Sequence, residues 1–160
     1  MARKGENMVC FGEFQNISGT IDITDPCYDK DVWCRKRVIG VLTGIYQCFY
    51  HKGEVKNWGE RIWSCRIVHK DHLNIVKKRP YKIGSVGVDA GLCGFFDNKP
   101  DYNDEEWSEL CDNMNMSSHL TTYVLPYGCF TESGLGDGMY DFFAWQNDKG
   151  QIVALELRFL

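Results

Sequence analysis

The chain has 160 residues, of which 44% are apolar and 14% aromatic, and its formal net charge is −4. That length is about one domain's worth, the aromatic content excludes intrinsic disorder, and no apolar run is long enough for a membrane-spanning helix. The charge is uneven: residues 1–80 carry 14 Lys/Arg against 9 Asp/Glu, and residues 81–160 carry 4 against 13. An acidic balance argues against general DNA binding, because phosphate neutralisation supplies most non-specific affinity. The basic clusters Arg35-Lys36-Arg37 and Lys77-Lys78-Arg79 read as two solvated loops; nucleic-acid contact and a local pocket for a small anionic ligand are the rival readings.

The first residues, 1–14, carry basic side chains but no apolar stretch of signal-peptide length, so the expected compartment is the cytosol. Ile21 and Ile23 alternate with Thr20, Asp22 and Thr24, a short strand that ends at Asp25-Pro26. Residues 38–50 form a long apolar run containing Gly40 and Gly44, which predicts a bend or bulge. Residues 61–69 alternate again, with Trp63, Cys65 and Ile67 on one side. Short strands are expected over 85–96 and 129–131.

One helix is written clearly, over 103–115. Asn103 can cap its first turn and Glu106 can complete a capping box. Trp107, Leu110, Cys111 and Met114 fall on one stripe that should cover a sheet. At the C-terminus Val153, Leu155, Leu157 and Phe159 alternate with Ala154, Glu156 and Arg158. With the turn at 147–150 and the aromatic strand over 139–146 before it, this is a β-hairpin. The expected fold is mostly β: a single β-rich domain over 1–160, an antiparallel β-sandwich or distorted barrel with one covering helix.

Eight cysteines invite a disulfide framework. Against it, the chain is long enough to build a core without staples, and Cys48, Cys65 and Cys129 sit in apolar strand-like runs where free Cys behaves as a small hydrophobe. Free thiols are expected. His69 and His72 have a His-x-x-His spacing without the companions of a zinc site, so they read as surface histidines.

Three segments look unlike ordinary strand or turn. They hold Asp25-Pro26-Cys27-Tyr28, Val88-Asp89-Ala90-Gly91 and Ser133-Gly134-Leu135-Gly136-Asp137-Gly138-Met139-Tyr140. Asp25-Pro26 reads as a rigid turn, since Pro fixes φ and the Asp side chain can bond nearby amides; the functional reading puts Asp25 and Tyr28 at a pocket mouth. Three glycines in five positions permit left-handed backbone and close approach of another molecule. Successive N–H groups in such a loop can form an anion-binding nest. The rival is a tight turn with Asp137 capping its own backbone. Converging loops would let Asp25, Asp89 and Asp137 hold a divalent cation or ribose hydroxyls. Cys93 reads as core rather than nucleophile, with no histidine near it in sequence.

In this order the three motifs resemble an uncharacterised family of small bacterial and phage proteins, a domain of unknown function, and residues 152–159 fit its ending. The resemblance implies a fold and a phage or bacterial origin, with the host-cell cytosol as the compartment if the chain is phage-encoded, and no reaction.

The leading expectation is a binding protein, not an enzyme, for a small phosphate-bearing, nucleotide-derived ligand. Phage-encoded, it would sequester a nucleotide signal of bacterial antiviral defence. The ligand-binding candidates are Asp25, Tyr28, Asp89, Gly134, Gly136, Asp137, Gly138 and Tyr140, with aromatic side chains stacking on a base. This reading needs no cofactor or metal and is compatible with a homo-oligomer. One alternative is a hydrolase or phosphodiesterase using Mg²⁺ or Mn²⁺ on the same ligand class. The second is a protein–protein interaction module using an exposed sheet edge.

Overall fold

The computed structural model describes residues 8–29, 32–114 and 118–160; residues 1–7 of the basic N-terminus and residue 115, the expected helix end, lie outside them. Among the described residues eleven strands form two antiparallel sheets. The larger sheet holds, in spatial order, β1 (Met8–Asn16), β4 (Gly44–Val55), β5 (Gly59–His69), β11 (Ile152–Arg158), β10 (Gly138–Gln146) and β6 (Tyr81–Val88). The smaller holds β3 (Arg35–Ile39), β2 (Thr20–Thr24), β7 (Leu92–Phe96), β9 (Gly128–Glu132) and β8 (Thr122–Leu125). The chain is therefore mostly β, and of the two architectures expected it is the sandwich: the sheets face each other without closing into a barrel.

The main core lies between the sheets. Ile21, Ile23, Cys93, Phe95 and Cys129 of the smaller sheet meet Tyr46, Cys48, Cys65, Ile67, Leu155 and Leu157 of the larger. Each outer face has a smaller apolar cluster. On the smaller sheet Leu92, Phe96 and Phe130 are covered by Met114 and, partly, by Trp107. On the larger, Val68, Trp145 and Ala154 are covered by Ile75 and Val76 of a 3₁₀ helix (Lys70–Lys77) that the sequence did not announce. Its pattern has no strong capping run and is too short for helical periodicity to stand out. Among the described residues no helix is long and apolar enough to cross a membrane.

Local expectations hold where the signal is local. Helix α1 (Asp104–Asn113) starts on the capping box: the Glu106 N–H donates to Asn103 Oδ1 at 2.8 Å, and the Asn103 N–H donates to Glu106 Oε1 at 3.0 Å. The apolar stripe is narrower than the spacing implies. Cys111 is exposed, and no residue inside the helix is buried, so the helix covers the sheet through Trp107 and through Met114 just beyond it. The C-terminal hairpin pairs Phe142 with Leu157 and Ala144 with Leu155.

Three expectations need correction. The 38–50 run is not one bent strand. At Gly40 (φ 72°) the backbone turns left-handed and the chain leaves the smaller sheet for the larger; glycine enters that region at no steric cost. The 85–96 run likewise divides between β6 and β7, in different sheets. The Arg35-Lys36-Arg37 cluster is strand β3, not a solvated loop. Arg35 Nη2 and Arg37 Nε reach the buried Asp22 carboxylate at 2.9 and 2.8 Å, and Arg35 Nη1 reaches Asp101 at 3.1 Å.

The histidine pair is not on the surface either: His69 is buried and His72 half-buried. His69 Nδ1 accepts the Asp71 N–H at 3.1 Å. That leaves the ring proton on Nε2, which donates to the Thr43 carbonyl at 2.9 Å. A satisfied histidine of this kind knits β5 to the turn before β4. The cysteines are unbonded, five of them buried. Cys93 is a core residue, its thiol pushed well above its ordinary value by burial.

Candidate ligand cleft at the glycine loop

The three motifs meet at one end of the sandwich. Asp25 lies at the end of β2 and is fully buried. Its carboxylate accepts backbone N–H groups from Cys27 at 3.0 Å, Asp89 at 2.9 Å and Ala90 at 2.7 Å. Burial raises its pKa, with the three donors pulling the other way. The structure thus places Asp25 inside the protein, tying the first motif to the second, and not at a pocket mouth. Tyr28 is half-buried and its hydroxyl donates to Asp89 Oδ2. That bond is the main reason its pKa is pushed up to about 12.

The second motif is joined to the third by the Ser133 N–H, which donates to the Gly91 carbonyl at 3.0 Å. The glycine loop is then closed on itself. Ser133 Oγ and the Tyr140 hydroxyl both donate to the Gly136 carbonyl at 2.7 Å, and the Gly136 N–H donates to the Ser133 carbonyl at 3.3 Å. Gly134 (φ 68°) and Gly136 (φ 105°) occupy left-handed backbone. At Gly134 a β-carbon would also come within 2.9 Å of the Ile62 carbonyl oxygen. Glycine is required there by both conformation and space. Gly138 opens β10 opposite Val88.

Asp137 is exposed at the loop tip, and the bonds closing the loop come from Ser133 and Tyr140. The Cys34 thiol reports where the acids gather. It is pushed up to about 11 by burial first, then by the charges of Asp25, Asp89 and Asp137. All three carboxylates therefore lie within electrostatic reach of Cys34. Among the described residues no three His, Cys, Asp or Glu side chains are grouped to hold a metal ion.

Gly134, Leu135 and Gly136 line a cleft of about 240 Å³ together with Ala90, Gly91, Ser133, Trp58, Arg61, His119 and Glu132. Arg61 is only 9% exposed, and its guanidinium carbon lies 5.7 Å from the centre of the Trp58 ring. Trp58 itself is half exposed. His119 Nδ1 stands 3.6 Å from Glu132 Oε1, while Glu132 Oε2 accepts the Thr121 N–H at 3.0 Å.

Of the sequence candidates, Gly134 and Gly136 line this cleft; Asp25, Tyr28, Asp89, Asp137, Gly138 and Tyr140 do not, and they build or flank the loops that do. The residues that sequence reasoning missed are Trp58, Arg61 and His119. Trp58 and Arg61 sit at the β4–β5 hairpin, where an ordinary turn and an alternating strand masked them. Only the packing of that hairpin against the glycine loop singles them out. Comparison of the chain with protein-family models, with curated proteins and with solved structures finds no match.

Proposed function

We propose that this chain is a binding protein for a small phosphate-bearing, nucleotide-derived ligand, held in the Trp58–Arg61 cleft. The observation that carries the reading is Arg61, nearly buried and braced on Trp58, lining one cleft with a loop whose Gly134 and Gly136 hold left-handed backbone. A guanidinium matches phosphate geometry in two parallel hydrogen bonds. Backbone N–H groups in a glycine-rich turn favour an anion. Trp58 at the rim offers a face for a base, a contact worth about 1–3 kcal/mol. At about 240 Å³ the cleft suits a phosphate and its adjoining ring, with the base against the half-exposed indole. The motif resemblance to phage and bacterial proteins supports a sequestering role toward a nucleotide signal of antiviral defence.

A second reading has its own observation. The His119–Glu132 pair lines the same cleft, and a histidine oriented by a carboxylate is suited to general-base hydrolysis.

The test is isothermal titration calorimetry with mono-, di- and cyclic nucleotides, followed by denaturation and chromatography of the recovered ligand. Sequestration predicts stoichiometric binding and unchanged ligand. Arg61→Met should weaken binding about tenfold or more, since a hydrogen bond to a charged group contributes about 1.5–3 kcal/mol. Trp58→Ala should weaken it with little change in melting temperature. Turnover beyond stoichiometry favours the hydrolase. Equal affinity in both variants removes the cleft from consideration, and neither binding nor turnover favours an interaction module.

A further inference from the structure

The two flanks of the sandwich differ. On one, the Gln15 N–H of β1 donates to the Pro126 carbonyl at 3.1 Å, and the sheets meet. On the other lie the edge strands β3 and β6, one from each sheet. They are tied near one end, where the Gly87 N–H donates to the Trp33 carbonyl at 3.1 Å and the Trp33 ring lies flat over Gly87, with no room for a β-carbon. Beyond the other end of β3, the Ile152 N–H donates to the Gly40 carbonyl at 2.8 Å and the Leu42 N–H to the Ile152 carbonyl at 2.9 Å. Between these ties the strands part, leaving a groove of about 570 Å³.

The groove is apolar below and cationic at its rim. Val38, Phe142 and Ile152 line it, each less than 10% exposed. Its wall on β6 carries a bulge: Phe142 pairs with Gly84 and Phe143 with Lys82, so Ile83 is the extra residue and packs against the core. Bulges at sheet edges commonly re-aim a side chain in this way. At Gly84 a β-carbon would fall 2.7 Å from the Phe142 ring, so the glycine lets that ring lie against the strand.

Lys36 supplies the charge. In β3 it stands opposite Ile23, as Val38 stands opposite Ile21. Side chains alternate along a strand, so Lys36 shares the core-facing side with Val38. Arg35 and Arg37 point to the other side, where Asp22 pairs with both and Asp101 with Arg35. Lys36 is exposed and lines the groove. A cation over an apolar trough, with backbone bonds to β6 at one end and to β11 beyond the other, fits a short amphiphile with an anionic head.

We propose that the groove between β3 and β6 binds a medium-chain carboxylate, its head on the Lys36 ammonium and its alkyl chain over Val38, Phe142 and Ile152. The run from Lys36 to Ile39 is about 10 Å long, which sets the chain length. The volume lies within the range of small-molecule sites, about 300–1,000 Å³. This site is separate from the Trp58–Arg61 cleft and does not depend on it.

The experiment is calorimetric titration of the full chain with sodium decanoate below its micellar concentration, with 1-decanol and acetate as controls and methyl NMR to locate the site. The expected result is one saturable site, at least tenfold weaker for 1-decanol and for decanoate on Lys36→Gln, and undetectable for acetate. The methyl signals of Val38, Ile83 and Ile152 should shift together. Absence of saturable decanoate binding overturns the proposal. So does equal affinity in Lys36→Gln, or shifts confined to other parts of the molecule. If Lys36→Gln binds decanoate as wild type does but self-associates, the lysine guards an exposed sheet edge and the ligand site is rejected.

Discussion

The Asp25 carboxylate and the Ala90 N–H, 65 residues apart in sequence, meet at 2.7 Å inside the protein. The same carboxylate holds the N–H groups of Asp89 and Cys27. One side chain therefore fixes the loop that brings Ala90 and Gly91 to the cleft. Asp25→Ala should leave buried donors without an acceptor, at a cost on the order of 3 kcal/mol, since each unsatisfied group costs about 1–3 kcal/mol. Asp25→Asn keeps one acceptor oxygen and should cost less. Urea unfolding of the two variants checks the order; equal, near-zero losses would show that the tie carries no stability.

Asp22 predicts a pH dependence. Burial alone would raise its pKa, but hydrogen bonds and charge from Arg37 and Arg35 outweigh burial and hold it below the ordinary value of 3.8. A carboxylate with a lowered folded pKa adds stability that is present above its unfolded pKa and lost as pH falls through the folded value. Removing one member of a buried pair costs about 3–5 kcal/mol. The stability gap between wild type and Asp22→Asn should therefore be wide at pH 7 and narrow steadily below about pH 3.8. Denaturant melts across pH 2–7 test this; a gap that stays constant would place the stabilisation elsewhere.

Leu155 and Leu157 are fully buried between the sheets, opposite Ala144 and Phe142 on β10 and Ile67 and Cys65 on β5. Each Leu→Ala substitution should cost about 2–5 kcal/mol, the transfer term plus the cavity left behind. Glu156, between them, faces the other side of the sheet, where Arg66 Nη2 and Arg158 Nε reach it at 2.6 and 2.7 Å. Thermal melting of the two leucine variants measures the loss, and near-neutral values would contradict the register of β11.

The cysteines predict a two-stage thiol titration. Cys34, Cys48, Cys65, Cys93 and Cys129 are buried, whereas Cys10, Cys27 and Cys111 are exposed. At pH 8 the native protein should react at no more than three sites and the denatured protein at eight. Cys27 should be slow among the exposed three. Desolvation, then the Asp25 charge, push its pKa up to about 11, and the thiolate is the reactive form. A fast fourth thiol in the native state would mean that the core opens readily.

Much of the fold was determined by the sequence alone, wherever one element carries its own signal. The capping box at Asn103 and Glu106 and the alternation from Val153 to Phe159 depend on backbone geometry within a few residues. The structure reproduces the capping box and the alternation from Leu155 to Phe159, because hydrogen-bond satisfaction at a helix end and side-chain alternation in a strand are local; at the strand's start a bulge puts Ile152, not Val153, with Leu155 and Leu157 in the core, and both faces of the strand are buried. The three motifs were also legible as unusual, since Asp-Pro and glycine-rich turns constrain φ whatever surrounds them. Tertiary structure alone decided what those turns are next to. It placed Asp25 inside, set Trp58 and Arg61 against the glycine loop, split the 38–50 run between two sheets at Gly40, and left β3 and β6 parted with Lys36 on the core-facing side. These are relations between strands far apart in the chain. They follow from which sheet each strand joins to bury its apolar face, and the period-2 pattern of a single strand is the same in either sheet.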